Sequence, residues 1–453
     1  MDFTELYKQS SGLCYFSPNG QYLATAVQHR LVIRDSESLQ ILHLFSCVDE
    51  VQDIAWSPDS DLILCASYRL SVIQVWSLRD PEWTCKIDEG AAGLASVKWA
   101  KDARSIMSFS DFQLRVTIWS MVTKSAAYIQ YPKFADRGYC FRGDGRYFAL
   151  AERKDGKDSL TVYDCDDWSI LKHFPLETRD LEDIAWSPDG RYIAVWESLL
   201  EYQMLVYYPD GRLAARYSAY DEGLGVKSVR WSPSSQFLAI GSYDQQVRIL
   251  NYYTWKPLIT FSHPTTLTPP DIALFRELDL RDIRDDSAGG VWAAQAAGHK
   301  PKIRYEVARP PLTIQTTRID PDKPNPKMGV GALEFNCTGN YMVTRNDNMS
   351  QCLWIWDLVG LRQVALITQL LPIKSIKWNP VYPDQLAWCC GNGFLYLWGG
   401  ETMGCEAIEI PAVNFQVVSL DWNPDGKSLV LVDKDKFCLA FLVDEDGDNH
   451  MVS

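Results

Sequence analysis

The chain has 453 residues, with 44 lysines and arginines against 58 aspartates and glutamates, and its formal net charge is therefore −14. This acidic balance disfavours broad electrostatic binding to nucleic acid. Apolar residues make up 47% of the chain, which excludes a disordered protein, and no run of about 18 apolar residues predicts a membrane span. The N-terminus does not have the pattern of a signal peptide, so we expect the 12 cysteines to be reduced thiols in the cytosol or nucleus.

One sequence pattern recurs along the chain: an apolar residue, any residue, an aromatic residue, a turn such as Ser-Pro-Asp-Gly, and a second apolar run. Its aromatic anchors are Phe16, Trp56, Trp99, Phe141, Trp186, Trp231, Phe335, Trp378 and Trp422. Successive anchors lie 40 to 45 residues apart, except for one gap of 104 residues between Trp231 and Phe335. A constant period of this length predicts an array of similar structural units.

Each copy of the pattern predicts four short antiparallel strands. Runs rich in Val, Ile, Tyr and Trp suit half-buried strands, and Ser-Pro-Asp-Gly is typical of a type I turn. The unit is therefore a four-stranded blade of about 43 residues. Nine anchors predict nine blades, or eight if one degenerate copy lies outside the ring. The three copies after the gap are too few for a second ring, so we predict one β-propeller over residues 1–453.

A ring of blades must close its open sheet edges, because exposed edges promote aggregation. We predict that the N-terminal strand 3–7 pairs with the last strand, residues 437–443, and closes the last blade.

Residues 263–330 form a proline-rich insertion in the connection from an outer strand to the next inner strand. Its middle, residues 272–280, is charged and has a helix-like pattern. A long connection of this kind is usually functional or disordered. The insertion is either a solvated loop or a partner-binding arm, with Phe275, Leu278 and Trp292 as its apolar contacts.

No arrangement of residues predicts catalysis. The six histidines do not have metal-ligand spacing, and the chain lacks the Gly-x-Ser-x-Gly motif of hydrolases, so we expect no enzyme activity, metal or cofactor. The predicted outer-to-inner connections carry acidic residues: Asp49, Glu50, Asp88, Glu89, Asp136, Glu177, Asp180, Asp221 and Glu222. These residues either solvate the loops or form an acidic docking ring for a basic or mixed-charge partner segment.

The period, the Trp-Ser-Pro-Asp-Gly turns and the Trp356-Asp357 dipeptide resemble the WD40 family, although the Gly-His dipeptide that normally precedes each innermost strand in that family is missing. Residues 1–7, residues 180–194 and the proline-rich insertion resemble a group of centrosomal WD-repeat proteins encoded antisense to a tumour-protein gene. This resemblance implies a location at centrosomes, centriolar satellites, spindle poles and the cilium base. It also implies partnership with the SSX-interacting coiled-coil protein and with spindle-pole or minus-end motor proteins, in microtubule anchoring, spindle assembly and ciliogenesis.

The leading hypothesis is a non-catalytic protein-interaction scaffold, since the repeats use nearly the whole chain. A second hypothesis is an RNA- or ribosome-associated propeller of the translation-initiation type, which the acidic charge disfavours. A third is an enzyme, which would need a converged polar site in the central channel.

Overall fold

The computed structural model describes residues 1–267, 272–279, 303–320 and 323–443. Over these ranges the chain is almost entirely β-strand, with short helical turns at Gly90–Ala92, Asp111–Gln113, Asp347–Met349 and Gly400–Met403. The strands form nine blades in chain order, so the predicted propeller is confirmed and its blade number is nine.

The first six blades follow two short N-terminal strands, β1 (Asp2–Phe3) and β2 (Tyr7–Lys8). Blade 1 comprises β3 (Cys14–Phe16), β4 (Tyr22–Val27), β5 (Arg30–Asp35) and β6 (Ile41–Ser46). Blade 2 comprises β7 (Asp53–Trp56), β8 (Leu62–Ser67), β9 (Val72–Ser77) and β10 (Thr84–Asp88). Blade 3 comprises β11 (Ser96–Trp99), β12 (Ser105–Phe109), β13 (Arg115–Ser120) and β14 (Ala126–Gln130). Blade 4 comprises β15 (Tyr139–Phe141), β16 (Tyr147–Lys154), β17 (Lys157–Asp164) and β18 (Ile170–Pro175). Blade 5 comprises β19 (Leu181–Trp186), β20 (Ile193–Glu197), β21 (Met204–Tyr207) and β22 (Leu213–Tyr217). Blade 6 comprises β23 (Val226–Trp231), β24 (Phe237–Ser242), β25 (Gln246–Asn251) and β26 (Pro257–Ser262).

The last three blades follow the insertion, which contains β27 (Thr266–Leu267), β28 (Ala273–Asp279), β29 (Ile303–Ala308) and β30 (Leu312–Thr313). Blade 7 is built on β31 (Val330–Phe335), β32 (Tyr341–Asn346), β33 (Cys352–Asp357) and β34 (Arg362–Thr368). Blade 8 comprises β35 (Ser375–Trp378), β36 (Gln385–Cys389), β37 (Phe394–Gly399) and β38 (Cys405–Glu409). Blade 9 contains β39 (Ser419–Trp422), β40 (Ser428–Val432) and β41 (Lys436–Phe441).

The hydrophobic core is divided among the blade interfaces. Each of nine clusters of buried apolar side chains joins one blade to the next, and one of them joins blade 9 to blade 1. In that closing cluster Phe16 and Leu23 of blade 1 pack with Val430, Phe437 and Leu439 of blade 9. The blades therefore close into one ring.

The repeated anchors explain why the blades stack at a fixed spacing. The indole nitrogen of Trp231 donates a hydrogen bond to the Ala185 carbonyl of the preceding blade at 3.1 Å. Trp56, Trp99, Trp378 and Trp422 make the same type of bond to the innermost strand of the blade before them. Each tryptophan thus fills an interface with apolar surface and also satisfies its own polar group there.

A buried polar latch joins the outer strand of blade 6 to blade 7. His263, the first residue after β26, donates from Nδ1 to the Gln245 carbonyl at 2.8 Å, so its Nε2 accepts from the Thr344 hydroxyl at 2.8 Å. The Thr344 oxygen in turn accepts from the Trp356 indole at 2.8 Å. Burial lowers the pKa of His263 to about 4, so its ring is neutral near pH 7. The first residue of the predicted insertion is therefore part of the blade 7 core.

The ring is closed by both ends of the chain. Strand β1 pairs with β41 through Asp2 and Phe441, and β2 pairs with the same strand through Tyr7 and Phe437. Between these two strands the Leu439 amide donates its hydrogen bond to the Thr4 hydroxyl, at 3.0 Å, instead of to a backbone carbonyl. The N-terminal segment is thus two short strands rather than the single strand 3–7 that the sequence suggests.

The middle of the insertion is a strand, not the helix that its sequence pattern suggests. Strand β28 pairs in parallel with β34 and forms an antiparallel hairpin with β29, so blade 7 becomes a six-stranded sheet. An apolar outer strand such as β34 leaves an open edge, and β28 satisfies that edge, which outweighs local helix propensity.

A buried carboxylate fastens this added hairpin to blade 8. Glu277 of β28 is 2% exposed and accepts from the Tyr396 hydroxyl at 2.6 Å and from the Leu370 amide at 2.7 Å. Burial raises the pKa of Glu277, and these two hydrogen bonds oppose the rise. The base of the insertion is therefore a structural part of the ring.

A candidate protein-interaction surface on the upper face

The loops that run from each outer strand to the next inner strand lie on one face of the ring, here the upper face. The turns between the second and third strands of each blade lie on the same face, because strand direction alternates within a blade. Most of the acidic residues predicted for the docking ring, here called the rim acids, lie in these loops. In the structure many of these acidic side chains form ion pairs with lysine or arginine. Asp136 lies 4.0 Å from Arg137, and Glu177 forms an ion pair with Arg216.

Asp49 and Glu89 are both bound by neighbouring side chains. A hydrogen bond from the Glu50 amide lowers the pKa of Asp49, and bonds from Ser67 and Arg69 add to this effect. Glu89 is 7% exposed and accepts from the Trp119 indole at 2.6 Å and from the Ser108 hydroxyl. Glu89 therefore occupies in blade 3 the place that His263 holds in blade 7, and it is not a surface residue of the rim.

Asp180 belongs to a partly buried ion cluster above blade 4. Lys133, whose side chain is 4% exposed, lies 3.0 Å from Asp158 and 2.9 Å from Asp180. Arg153 also pairs with Asp180. Burial alone would raise the pKa of Asp180, but the hydrogen bonds from Lys133 and Arg153 lower it overall. The cluster fixes the long hairpin of blade 4 against the loop that enters blade 5.

The remaining rim acids stay at the surface. Asp88 accepts from the Gly90 amide at 2.9 Å and shapes its own loop. Glu50, Asp221 and Glu222 are exposed and make no ion pair within the described residues. The upper face therefore has mixed charge, and whether its free acids bind a partner stays a prediction.

The structure reveals an apolar feature of the upper face that the sequence analysis missed. Five exposed apolar side chains lie in the loops of three successive blades, and we call them the upper arc: Val48, Leu70, Phe112, Leu114 and Tyr131. The sequence signal was the turn Asp111-Phe112-Gln113-Leu114, where two large apolar residues stand in a position that is normally polar. An apolar cluster exposed in this way is typical of an interaction site.

Strand pairing in blade 3 brings two members of the upper arc, Leu114 and Tyr131, next to each other. Leu114 precedes Arg115, which pairs in the sheet with Gln130, the residue before Tyr131. The Tyr131 carbonyl accepts from the Arg153 amide at 3.0 Å, and Lys154 lies over the Tyr131 ring at 5.3 Å. Leu114 and Tyr131 therefore lie at the adjacent ends of two paired strands, with the basic side chain of Lys154 beside Tyr131.

Phe112 is the most exposed member of the arc, with 91% of its surface accessible. Its φ of 55° and the φ of 53° at Gln113 place two consecutive non-glycine residues in the left-handed region. Each such residue costs about 1 to 2 kcal/mol. Ser71 and Gln245 have the same left-handed backbone in the corresponding turns of other blades, so the exposure of the Phe112 ring is the observation that favours a role in binding.

Two of the three apolar residues predicted for a partner-binding arm, Phe275 and Leu278, lie apart from the upper arc. Phe275 is half-buried and packs into the interface between blades 7 and 8, and Leu278 is half-buried on the same strand. Trp292 lies outside the described residues. Within the described ranges, no group of His, Cys, Asp and Glu side chains could hold a metal ion. The helices found in those ranges are too short to cross a bilayer.

Comparisons with known proteins agree with this architecture. A family model described as WD domain, G-beta repeat matches residues 211–251, which span the outer strand of blade 5 and three strands of blade 6. WD repeat-containing protein WRAP73 of Mus musculus is 46% identical over 446 residues, covering 98% of this chain and 96% of that protein. The chain belongs to the WD-repeat family.

More distant matches of this WD-repeat protein extend over its whole length. An uncharacterized WD repeat-containing protein of Schizosaccharomyces pombe is 22% identical, over 99% of this chain and 94% of its own length. The C-terminal WD40 domain of Sif2 aligns with 97% of this chain and 99% of that chain, at a TM-score of 0.52 and 11% identity. The last match supports the fold alone. WD-repeat propellers are typically non-catalytic scaffolds for protein binding.

Proposed function

We propose that this WD-repeat protein is a non-catalytic scaffold of centrosomes, centriolar satellites, spindle poles and the cilium base. In this role it acts with the SSX-interacting coiled-coil protein and with spindle-pole or minus-end motor proteins. The processes are microtubule minus-end anchoring, spindle assembly and ciliogenesis. The resemblance of residues 1–7 and 180–194 to centrosomal WD-repeat proteins supports the proposal, and so does the identity to mouse WRAP73.

The observation that carries the binding role is the upper arc. An amphipathic helix that is not yet paired in a coiled coil presents apolar side chains along one face and charged side chains beside it. The arc offers Phe112 and Leu114 to such an apolar face, while Lys154 and Arg69 lie beside the arc as exposed cations. A rigid ring holds these groups in position before binding, which lowers the entropic cost of association.

We expect the double variant Phe112→Ser, Leu114→Ser to weaken binding of the coiled-coil partner at least about tenfold, since buried aromatic anchors dominate interface energies. The measurement is the Kd for the purified partner, together with proximity labelling in cells. The matched control is Leu200→Ser, which removes an exposed apolar side chain from the corresponding turn of blade 5. Equal binding by all three proteins would remove the arc from the interface. Absence of satellite and spindle-pole proteins from the wild-type labelling would contradict the location.

The insertion can be tested separately from the ring. Deleting residues 263–330 would remove His263 and β28, which are structural, but Asp279 and Ile303 lie opposite each other in the hairpin register. Residues 280–302 can therefore be replaced by Asn-Gly, which forms a two-residue hairpin turn. We expect this variant to bind the coiled-coil partner with a Kd within about twofold of the wild type. Loss of binding would instead assign docking to the replaced segment, which contains Trp292.

A further inference from the structure

Cys47 and Cys65 form a thiol pair in the described part of the chain, which includes all twelve cysteines. Cys47 is the first residue after β6, and Cys65 lies within β8 of the next blade. Cys65 Sγ donates a hydrogen bond to Cys47 Sγ at 3.4 Å. The two sulfurs face each other across the interface between blades 1 and 2.

This position is the blade 2 equivalent of the polar latches in blades 3 and 7. In those blades the residue after the outer strand, Glu89 or His263, bonds to a hydroxyl on the second strand of the next blade. In blade 2 both members of the latch are thiols. The same place in the fold therefore brings together two side chains that can be joined covalently.

The surrounding backbone holds the pair in register. The Cys47 amide donates to the His29 carbonyl at 2.8 Å, and the next amide, that of Val48, donates to Gln74 Oε1 at 2.7 Å. Cys65 pairs with Gln74 and with Ile54 in the blade 2 sheet. The two sulfurs are 3.4 Å apart, and a disulfide needs them to approach by about 1.4 Å.

The two thiols differ in the way that peroxide chemistry requires. The hydrogen bond from Cys65 lowers the pKa of Cys47, whereas the same bond and burial raise that of Cys65. By contrast, burial raises the pKa of Cys85, Cys352 and Cys438. Cys47 is half-buried and lines a shallow surface pocket with Val48 and Leu70, so a small oxidant can reach it.

We propose that Cys47 and Cys65 are a redox modification site, at which hydrogen peroxide forms a reversible disulfide that locks the loop 47–52 onto blade 2. The Cys47 thiolate attacks one peroxide oxygen, the O–O bond breaks, and the departing hydroxide takes a proton to become water. The Cys65 sulfur, after losing its proton, attacks the Cys47 sulfenic acid, and the hydroxyl leaves as a second water. Two thiols are oxidised to one disulfide while one peroxide is reduced to two waters. A small thiol such as dithiothreitol reverses the step by exchange.

The test uses the reduced full-length protein and stoichiometric hydrogen peroxide, followed by alkylation of the remaining thiols and peptide mapping. We expect the loss of two alkylatable thiols for each chain and a Cys47–Cys65 linked peptide as the dominant product, which dithiothreitol removes. In Cys65→Ser, Cys47 should instead be trapped as a sulfenic acid by dimedone. The control Cys337→Ser lacks an exposed cysteine outside the pair and should form the same linked peptide as the wild type.

Because the linked peptide is measured in the wild-type chain, the test does not depend on whether the serine variants fold. Recovery of Cys47 and Cys65 as free thiols under conditions that oxidise Cys337 would overturn the proposal. Linkage of Cys47 to any other cysteine would also overturn it. This chemistry is independent of the scaffold role, so either proposal can fail without the other.

Discussion

Removing residues 1–8 should lower the free energy of unfolding by about 4 kcal/mol, because about 1 kcal/mol is lost for each of four half-buried apolar side chains. Met1, Phe3 and Leu6 pack into the interface between blades 8 and 9, and Tyr7 stacks on Phe437 at 5.4 Å. With an unfolding entropy of about 1 kcal/mol per kelvin for a chain of this size, the melting temperature should fall by about 4 °C. Differential scanning calorimetry and denaturant titration measure the two quantities.

The deletion also leaves β41 as an open edge, so we expect the shortened protein to aggregate on heating more readily than the wild type. Gln9 is retained because its side chain donates to the Asp433 carbonyl at 2.7 Å. The matched control is Glu5→Ala, an exposed change within the same segment that should leave the melting temperature unaltered. If the shortened protein melted at the wild-type temperature, the N-terminal strands would not be needed to close the ring.

Replacing Lys133 with methionine should destabilise the protein by about 3 to 5 kcal/mol, the cost of breaking a buried ion pair by removing one partner. The methionine retains the length of the side chain but leaves Asp158, whose side chain is fully buried, without its nearest cation. Asp158 also accepts from the Leu181 amide at 2.7 Å, so the damage extends into the start of blade 5. Chemical denaturation followed by tryptophan fluorescence measures the change.

Two further variants separate charge from packing at this cluster. Lys157→Met makes the same substitution at an exposed position of the blade 4 hairpin, and it should change stability by less than about 0.5 kcal/mol. Adding Asp158→Asn to Lys133→Met removes the unpaired buried charge and should recover part of the loss, because residues in contact are energetically coupled. Additive effects in the double variant would contradict the ion-pair interpretation.

The repeat pattern predicted the architecture well because each copy of the repeat carries the residues that contact the preceding blade. The anchors Trp56, Trp99 and Trp231 occupy equivalent positions and make equivalent bonds to the preceding blade. The turns are equally local: the Ser187 hydroxyl contacts Asp189 at 2.6 Å and accepts from the Tyr192 amide at 3.0 Å. These anchor and turn residues are recognisable even in repeats that lack the Gly-His and Trp-Asp dipeptides of the family.

The insertion was harder to predict because its conformation depends on a distant partner. Residues 273–279 carry helix-forming residues, but their backbone groups are satisfied by β34, about 90 residues later in the chain. The burial of Glu277 also depends on Tyr396, which belongs to the next blade. Neither contact leaves a trace in the local pattern of the insertion.

The sequence by itself limited the number of blades to eight or nine and predicted a single ring without chain left over for a second one, because both follow from a period that local turns and apolar strands encode. The tertiary structure then showed that all nine copies form blades of the ring. Only the tertiary structure decided the chemistry of the upper face. Its loops come from different repeats, and the contacts between these loops determined that Asp180 forms an ion pair with Lys133, that Glu89 is buried and that Phe112 remains in solvent. The same pairing across a blade interface brought Cys47 and Cys65 into contact.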